Sequence, residues 1–519
     1  MLIKSVSLVP RSVLSHYPKV CIPLTSLLVG WGLVWLAKAV RKSIKRRGEL
    51  PSGPWGLPLL GYLPFMKKHT YLQFDELAKK YGPLFRLKLG GCNVIVVSEW
   101  SHVKDAFAND ALLARPEQTL FPGIIDHLSI LEMSGEDWKE HRRLSMQILR
   151  SIGLTKSTLE IKVKEEINKF LELLGEGKPV DFGEIIGRSV SNNITILVFG
   201  HTYDYDDPAK TELDEHINTV FREYQFAGLL AFAPWLAKIY IALGKGNLDR
   251  IAEAVLYGDK FVQLEVDKHR AELNLDSDPV DYIDGFLKEM AKREEKRIPE
   301  GTFNLEVLKR NVVAFYGGGI ETVASTMMWI MYYLVSYPDT QINIRQEIAQ
   351  AIGFSRQPEY SDRSRMPYTM AFINEVHRMG SVLAVNLLRR ASKDTYVGKY
   401  LIPKDTYVLF NFWSVHRDPK LFKDPETFDP TRFLSKDGTQ LLKVPHLVPF
   451  SGGKRMCPGE SLASMELFLY VTFIIQKFKI KVQPGSVISS EAEFGIARRP
   501  ANLPPLIFEE VGECSCDHD

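Results

Sequence analysis

Residues 450–459 read Phe-Ser-Gly-Gly-Lys-Arg-Met-Cys-Pro-Gly, and no other stretch of the chain restricts its fold as strongly. The adjacent glycines Gly452 and Gly453 reach backbone angles closed to other residues, which permits a tight loop. Cys457 ends that loop. Pro458 suits the first position of a helix, where its missing N–H is not needed. Leu462, Met465 and Leu469 then recur at helical spacing. A sulfur at such a helix start meets unpaired backbone N–H groups and the positive end of the helix dipole. Both favour thiolate over thiol, and Arg455 adds positive charge two residues earlier. A lone cysteine near a turn is commonly just a small buried apolar residue. The combination of ligand, turn and helix start points instead to a metal-ligating sulfur.

The chain has 519 residues, 45% of them hydrophobic, enough for a large core. Its 65 basic and 63 acidic residues nearly balance, which gives no reason to expect a nucleic-acid partner. The five cysteines, Cys21, Cys92, Cys457, Cys514 and Cys516, are too few and scattered for a disulfide framework and suit a reducing compartment.

Residues 20–37 form an uncharged apolar run of 18 residues, interrupted only by Pro23, Thr25 and Ser26. With its flanks it is just long enough to span a bilayer. Lys38, Arg41, Lys42, Lys45, Arg46 and Arg47 follow at once, against Lys4, Arg11 and Lys19 before it. The heavier basic side stays cytosolic. Residues 1–19 are therefore expected across the membrane, 20–37 as a transmembrane helix, 38–64 as a basic and proline-rich linker, and 65–519 as a cytosolic catalytic domain. A signal peptide cleaved near Ala37-Lys38-Ala39 and an acid-free mitochondrial leader compete with this reading. The run is long for the first and not amphipathic as the second requires. The dense prolines of 51–58 exclude a helix and stiffen the lead into the body. Residues 226–243, broken by Pro234, suit either a helix–loop–helix dipping into the membrane surface or ordinary core.

The body reads as mainly α with small β-sheets. Helical spacing runs through 156–174, 246–272, 303–336, 338–352 and 460–477. Residues 85–97 alternate around Gly90-Gly91 as a β-hairpin, and 400–411 contain a second short strand pair.

The cysteine loop resembles the haem-binding loop of the cytochrome P450 family, Phe-x-x-Gly-x-Arg-x-Cys-x-Gly. Phe450, Gly453, Arg455, Cys457 and Gly459 fill every fixed position. The resemblance implies the cytochrome P450 fold, a single large domain enclosing heme b (iron protoporphyrin IX), with Cys457 as axial ligand to the haem iron. In that family the thiolate pushes electron density onto the iron and favours O–O cleavage. Arg455 is then a propionate partner, and Phe450 packs near the sulfur.

Three further motifs recur in the family's order. Glu375 and Arg378, at i and i+3 on a helix, face one another. They resemble the family's Glu-x-x-Arg pair, with Arg432 as third member of a structural network. Gly317-Gly318-Gly319 interrupts an apolar helix, where each glycine costs about 1 kcal/mol relative to alanine. A local opening of the helix beside a ligand would account for three in a row. Glu321-Thr322 follows, and the segment resembles the family's oxygen-binding helix, with Thr322 and Glu321 as catalytic acid–alcohol pair. Trp138 and Arg142 resemble the family's Trp-x-x-x-Arg and are expected to donate to haem propionates, as is Arg389, with Arg390 as the other choice.

By the same resemblance, the substrate pocket is lined by Phe121, Ile125, Leu128, Phe226, Ala314, Val382, Val385 and Phe494. These apolar residues suit a lipid, steroid or xenobiotic. The chain has no flavin or iron–sulfur motif, so electrons must arrive from outside; the resemblance to the microsomal branch implies NADPH as their source through NADPH–cytochrome P450 reductase, with cytochrome b5 as an optional partner. Lys139 and Lys454 lie where an acidic partner would dock. The expected activity is a monooxygenase of the endoplasmic reticulum membrane, single-pass, the inner mitochondrial membrane being the alternative site. A reductase-independent isomerase or dehydratase of a lipid hydroperoxide and a non-catalytic haem-binding protein are the competing functions. The Glu321-Thr322 pair favours the monooxygenase.

Overall fold

The computed structural model describes residues 49–117, 129–153, 157–175, 177–230, 232–243 and 248–511. The proposed anchor, residues 20–37, lies outside them. Among the described residues, no helix is long and apolar enough to cross a membrane.

The described chain is mainly helical, with small sheets at its margins. Helices α1 (Thr70–Tyr81) and α2 (Trp100–Phe107) flank the hairpin β1 (Leu84–Leu89) and β2 (Cys92–Val97). The hairpin turns at Gly90, whose φ of +53° suits glycine. Its register pairs Leu84 with Val97 and Leu89 with Cys92. Helices α3 (Gly135–Ser151), α4 (Ser157–Leu174), α5 (Phe182–Phe199), α6 (Pro208–Leu230), α7 (Pro234–Ala242), α8 (Leu248–Glu272) and α9 (Tyr282–Glu295) come next. The centre is α10 (Leu305–Ser336), a helix of 32 residues and so about 48 Å long at 1.5 Å per residue. The side chain of Asn304 starts it by accepting the Val307 N–H at 2.9 Å.

Helices α11 (Asp339–Ala351) and α12 (Pro367–Gly380) lead to the short strands β3 (Arg389–Arg390), β4 (Thr395–Val397), β5 (Tyr400–Ile402) and β6 (Tyr407–Phe410). The two strands within 400–411 exist but do not pair with each other. β5 turns back onto β4, whereas β6 inserts between β2 and β3 in the order β1-β2-β6-β3. All four residues of β6 are buried, which suits a central strand covered on both faces rather than half of an isolated hairpin. After α13 (Phe412–His416) the chain reaches the cysteine loop and α14 (Glu460–Lys477). It ends with β7 (Phe478–Val482), β8 (Ala492–Phe494), β9 (Arg498–Pro500) and β10 (Leu506–Glu510).

The main core lies where α10 packs along α5 and against α14. α5 is buried nearly all round, so its polar residues are bonded internally. Ser189 meets the Tyr470 hydroxyl at 2.6 Å, and Ser191 donates to Asp214 at 2.7 Å. The helix after the cysteine loop and the long central helix thus share one rigid interior.

Candidate haem-thiolate site

Packing dictates the shape of the loop before Cys457. Gly453 has φ of +69°, and a Cβ there would collide with the carbonyl of Phe107. A Cβ on Gly452 would overlap the Phe107 ring. Both glycines are therefore required by a helix some 345 residues earlier, not only by the turn. The Cys457 N–H closes the loop on the Phe450 carbonyl at 2.9 Å. The Phe450 ring meets His377 edge-on at 5.4 Å, and Gly459 leaves a Cβ only in ordinary contact with Sγ.

The helix start does not by itself ionise the thiol. Burial pushes the Cys457 pKa up, while the N–H groups of Gly459 and Glu460 and the charge of Arg142 pull it down. The helix start thus favours the thiolate as its N–H groups should, and burial opposes it with the larger effect, so the net direction is upward. A cation bound to the sulfur would offset that burial cost.

Guanidinium groups gather around this loop. Arg455 donates to the carbonyls of Leu113 at 2.9 Å and Met133 at 2.5 Å, and lies 3.8 Å over the Trp138 ring. Arg142 donates to the Met456 carbonyl at 2.8 Å. Arg389 reaches the Gly452 carbonyl at 3.4 Å, and its buried Nη1 has no partner. Arg115 joins them, bonded to the carbonyls of Leu131, Leu387 and Leu388. No sequence motif singles out Arg115; only its bonds to Leu131 and to the residues just before β3 bring it in. Strand alternation also decides between the two neighbours on β3: Arg389 points inward, while Arg390 pairs with Asp405 at 2.6 Å and Glu117 at 2.7 Å.

Burial and mutual repulsion weigh on these cations. Burial, then the charges of Arg115, Arg389 and Arg142, lowers the Arg455 pKa to about 8. Burial, then Arg115, lowers that of Arg389 to about 9. Among the described residues, no carboxylate is hydrogen-bonded to Arg142, Arg389 or Arg455. Buried charges of one sign without counter-charges are costly. A dianion is what this cluster lacks, and the two propionates of haem fit it.

On α10 the three glycines do not open the helix, which runs unbroken from Leu305 to Ser336. They answer to packing instead. A Cβ on Gly319 would collide with Ile194 of α5, and one on Gly317 would press on the Phe221 ring of α6 at 3.2 Å. Gly318 alone faces open space. One turn on, the Thr322 hydroxyl donates back to the Gly318 carbonyl at 2.8 Å. Glu321, about 100° round the helix, is buried beneath β9. Burial raises its pKa against the lowering pull of Arg499, Ser325 and Arg222.

Glu375 and Arg378 are fully buried and joined by two bonds of 2.7 Å. Arg432 reaches the same carboxylate at 3.2 Å. Of the residues expected to line the pocket, Ala314, Val382 and Val385 are partly buried, while Phe494 packs on Tyr71 at 4.9 Å. Phe121, Ile125 and Leu128 lie outside the described residues. Phe226 falls within α6, but its side chain is likewise outside them.

Buried and half-buried guanidiniums around a cysteine loop suit a dianionic porphyrin whose metal accepts the sulfur, and the site together with the mainly helical fold defines a haem-thiolate protein. The sequence profile of the cytochrome P450 family matches residues 51–504. The chain belongs to that family and is a cytochrome P450 monooxygenase. It is 35% identical to mouse cytochrome P450 2J5 over 467 residues, covering 87% of this chain and 90% of that protein. It is 36% identical to mouse cytochrome P450 2F2 over 470 residues (88% and 93%) and 33% identical to human cytochrome P450 2J2 over 484 residues (92% and 94%).

Proposed function

We propose that this chain inserts one oxygen atom from O2 into apolar small molecules at a membrane surface, fed with electrons from NADPH by cytochrome P450 reductase. In this reading Cys457 ligates the iron, and Arg455, Arg142, Trp138, Arg389 and Arg115 hold the propionates. Thiolate-ligated haem supplies the activation of O2 and the cleavage of its O–O bond. The observation that carries the proposal is the open strip at Gly318, bordered by the Thr322 hydroxyl. A rotation about χ1 releases that hydroxyl from the Gly318 carbonyl and turns its proton toward the open space. Glu321, buried and so holding its proton to higher pH than an exposed glutamate, is the store that replenishes it. Glu375, Arg378 and Arg432 brace the fold and take no part in chemistry.

Membrane association is supported by two apolar groups on one side of the molecule. In the lead, Trp55 and Leu59 are 76% and 81% exposed. On α7, Trp235 and Ile239, with Leu243 just beyond it, form an exposed stripe at i, i+4 and i+8. Both groups converge at the Gly90 turn: Leu60 accepts from the Gly90 N–H at 3.0 Å, and Phe232 from the Gly91 N–H at 3.3 Å. With residues 20–37 as anchor, this face would rest on the endoplasmic reticulum membrane.

The test is reconstitution with NADPH–cytochrome P450 reductase in phospholipid, with and without cytochrome b5, over a panel of lipophilic compounds. One atom of isotopically labelled O2 should enter product, only with NADPH and reductase present. Turnover of lipid hydroperoxides without reductase, and none of any compound with it, would replace this reading by an isomerase or dehydratase.

A further inference from the structure

The strands β8 and β9 form a hairpin in which Glu493 and Arg499 are directly paired neighbours. Arg499 gives Glu493 two bonds, at 2.9 and 3.2 Å. Its remaining nitrogen, Nη1, stands 3.9 Å from Oε1 of Glu321. One guanidinium thus lies between an exposed carboxylate and a buried one, 53% and 8% exposed at the side chain.

The backbone beneath Arg499 is fixed on both sides. The preceding Arg498 donates to the Gly380 carbonyl at 2.5 Å and lies 4.4 Å over the Trp329 ring, whose N–H returns a bond to the Arg498 carbonyl at 3.0 Å. The hairpin turn is tied to α6: Ile496 donates to the Phe221 carbonyl at 3.2 Å, and Gly495 has no room for a Cβ against it. Glu493 is 53% exposed, and an ion pair open to solvent on one side gains little, so this pairing does not commit the guanidinium to Glu493.

We propose that Arg499 is a positioning residue that divides its guanidinium between Glu493 and Glu321, so that its choice of partner decides whether Glu321 keeps its proton. Glu321 is faced by Ser325 from its own helix, Arg499 from β9, Arg222 from α6 and Glu493 from β8. Among the described residues, Arg499 is within ion-pair distance of both carboxylates. When it turns to Glu321, the carboxyl releases its proton to water and pairs; when it returns to Glu493, Glu321 takes a proton up. This rests on the reading of Glu321 as proton store for its catalytic meaning, though not for its existence.

The test is infrared spectroscopy of the haem-loaded full chain, with the stretch of the protonated Glu321 carboxyl assigned by its absence in Glu321→Gln. Its pH midpoint should fall by about one unit or more in Glu493→Gln, as Arg499 turns inward, and rise in Arg499→Gln, with Arg499→Lys restoring part of the shift. In the Arg499→Gln background, Glu493→Gln should have almost no further effect. If Glu493→Gln shifts the midpoint as much without Arg499 as with it, Glu493 acts by its own field and the exchange is refuted. Unchanged oxygen coupling in Glu321→Gln would instead count against the proton store and leave the exchange standing.

Discussion

Arg378 holds both oxygens of Glu375 in parallel bonds of 2.7 Å, and neither side chain reaches solvent. The arrangement is overdetermined. Arg378 also donates to the carbonyls of His416 and Pro425, and Glu375 accepts from the N–H of Asp429 at 2.8 Å. The pair ties α12 to the segment that leads into the cysteine loop.

Glu375→Ala leaves Arg378 buried without its counter-charge, with Arg432 half-released. Such a loss costs about 3–5 kcal/mol. Urea denaturation of the purified protein should show it, together with poor haem retention. A loss under about 1 kcal/mol would mean that the carbonyl bonds alone satisfy the guanidinium.

The arginine cluster should discriminate haem from its dimethyl ester, which lacks the two negative charges. Apoprotein should take up haem and hold the ester at least about tenfold more weakly, as charge-assisted bonds to Arg389 and Arg455 are lost. Absorbance titration measures both. Equal affinity would remove the propionate role. In parallel, Cys457→Ser should abolish the thiolate-type absorption of the reduced CO complex.

Thr322→Ala removes the hydroxyl that borders the open strip at Gly318 while leaving α10 intact. Haem content should be unchanged, product formation should fall by about tenfold or more, and NADPH consumption should be diverted into peroxide. Peroxide and product assays give the ratio. Unaltered coupling would place proton delivery elsewhere.

A pH effect on stability is expected far from the site. Burial opposes charge on His269, but its 2.9 Å bond to Asp281 and the charge of that residue raise its pKa from 6.5 to about 9. Between those values the folded protein keeps a proton that the unfolded chain has lost, so the stabilisation is full below about pH 6.5 and fades as pH rises through about 9. Denaturation midpoints should fall between pH 7 and 9.5 and flatten over that range in His269→Gln.

Lys454 is paired with Asp110 at 2.7 Å, at the surface beside the cysteine loop. Lys454→Glu should slow reduction by the reductase at low ionic strength and weaken its salt dependence, as expected for a rim charge. Stopped-flow reduction at two salt concentrations reads this. An unchanged rate would move the docking face.

Much of the site is legible in the chain because its parts are local. The loop 450–459, the Glu375–Arg378 pair and the Glu321-Thr322 step each fit within a helical turn or one tight loop, so spacing alone carries them. The long helices are equally plain, since their apolar period repeats over many residues. Arg115 illustrates what spacing cannot carry. It is one basic residue before a proline, and its place beside Arg389 and Arg455 comes from contacts hundreds of residues apart. The glycines of α10 mislead for the same reason. Their sequence suggests a broken helix, yet Gly319 and Gly317 are cut to fit Ile194 and Phe221 on other helices.

The sequence by itself determined the cysteine loop, the helical skeleton and the family, because these follow from short-range patterns of backbone freedom and burial. Only the tertiary structure decided which of Arg389 and Arg390 turns inward, that the Cys457 thiol is not ionised by its helix alone, and that Arg499 stands between two carboxylates. Those outcomes depend on desolvation and on distances between groups remote along the chain, which no local pattern encodes.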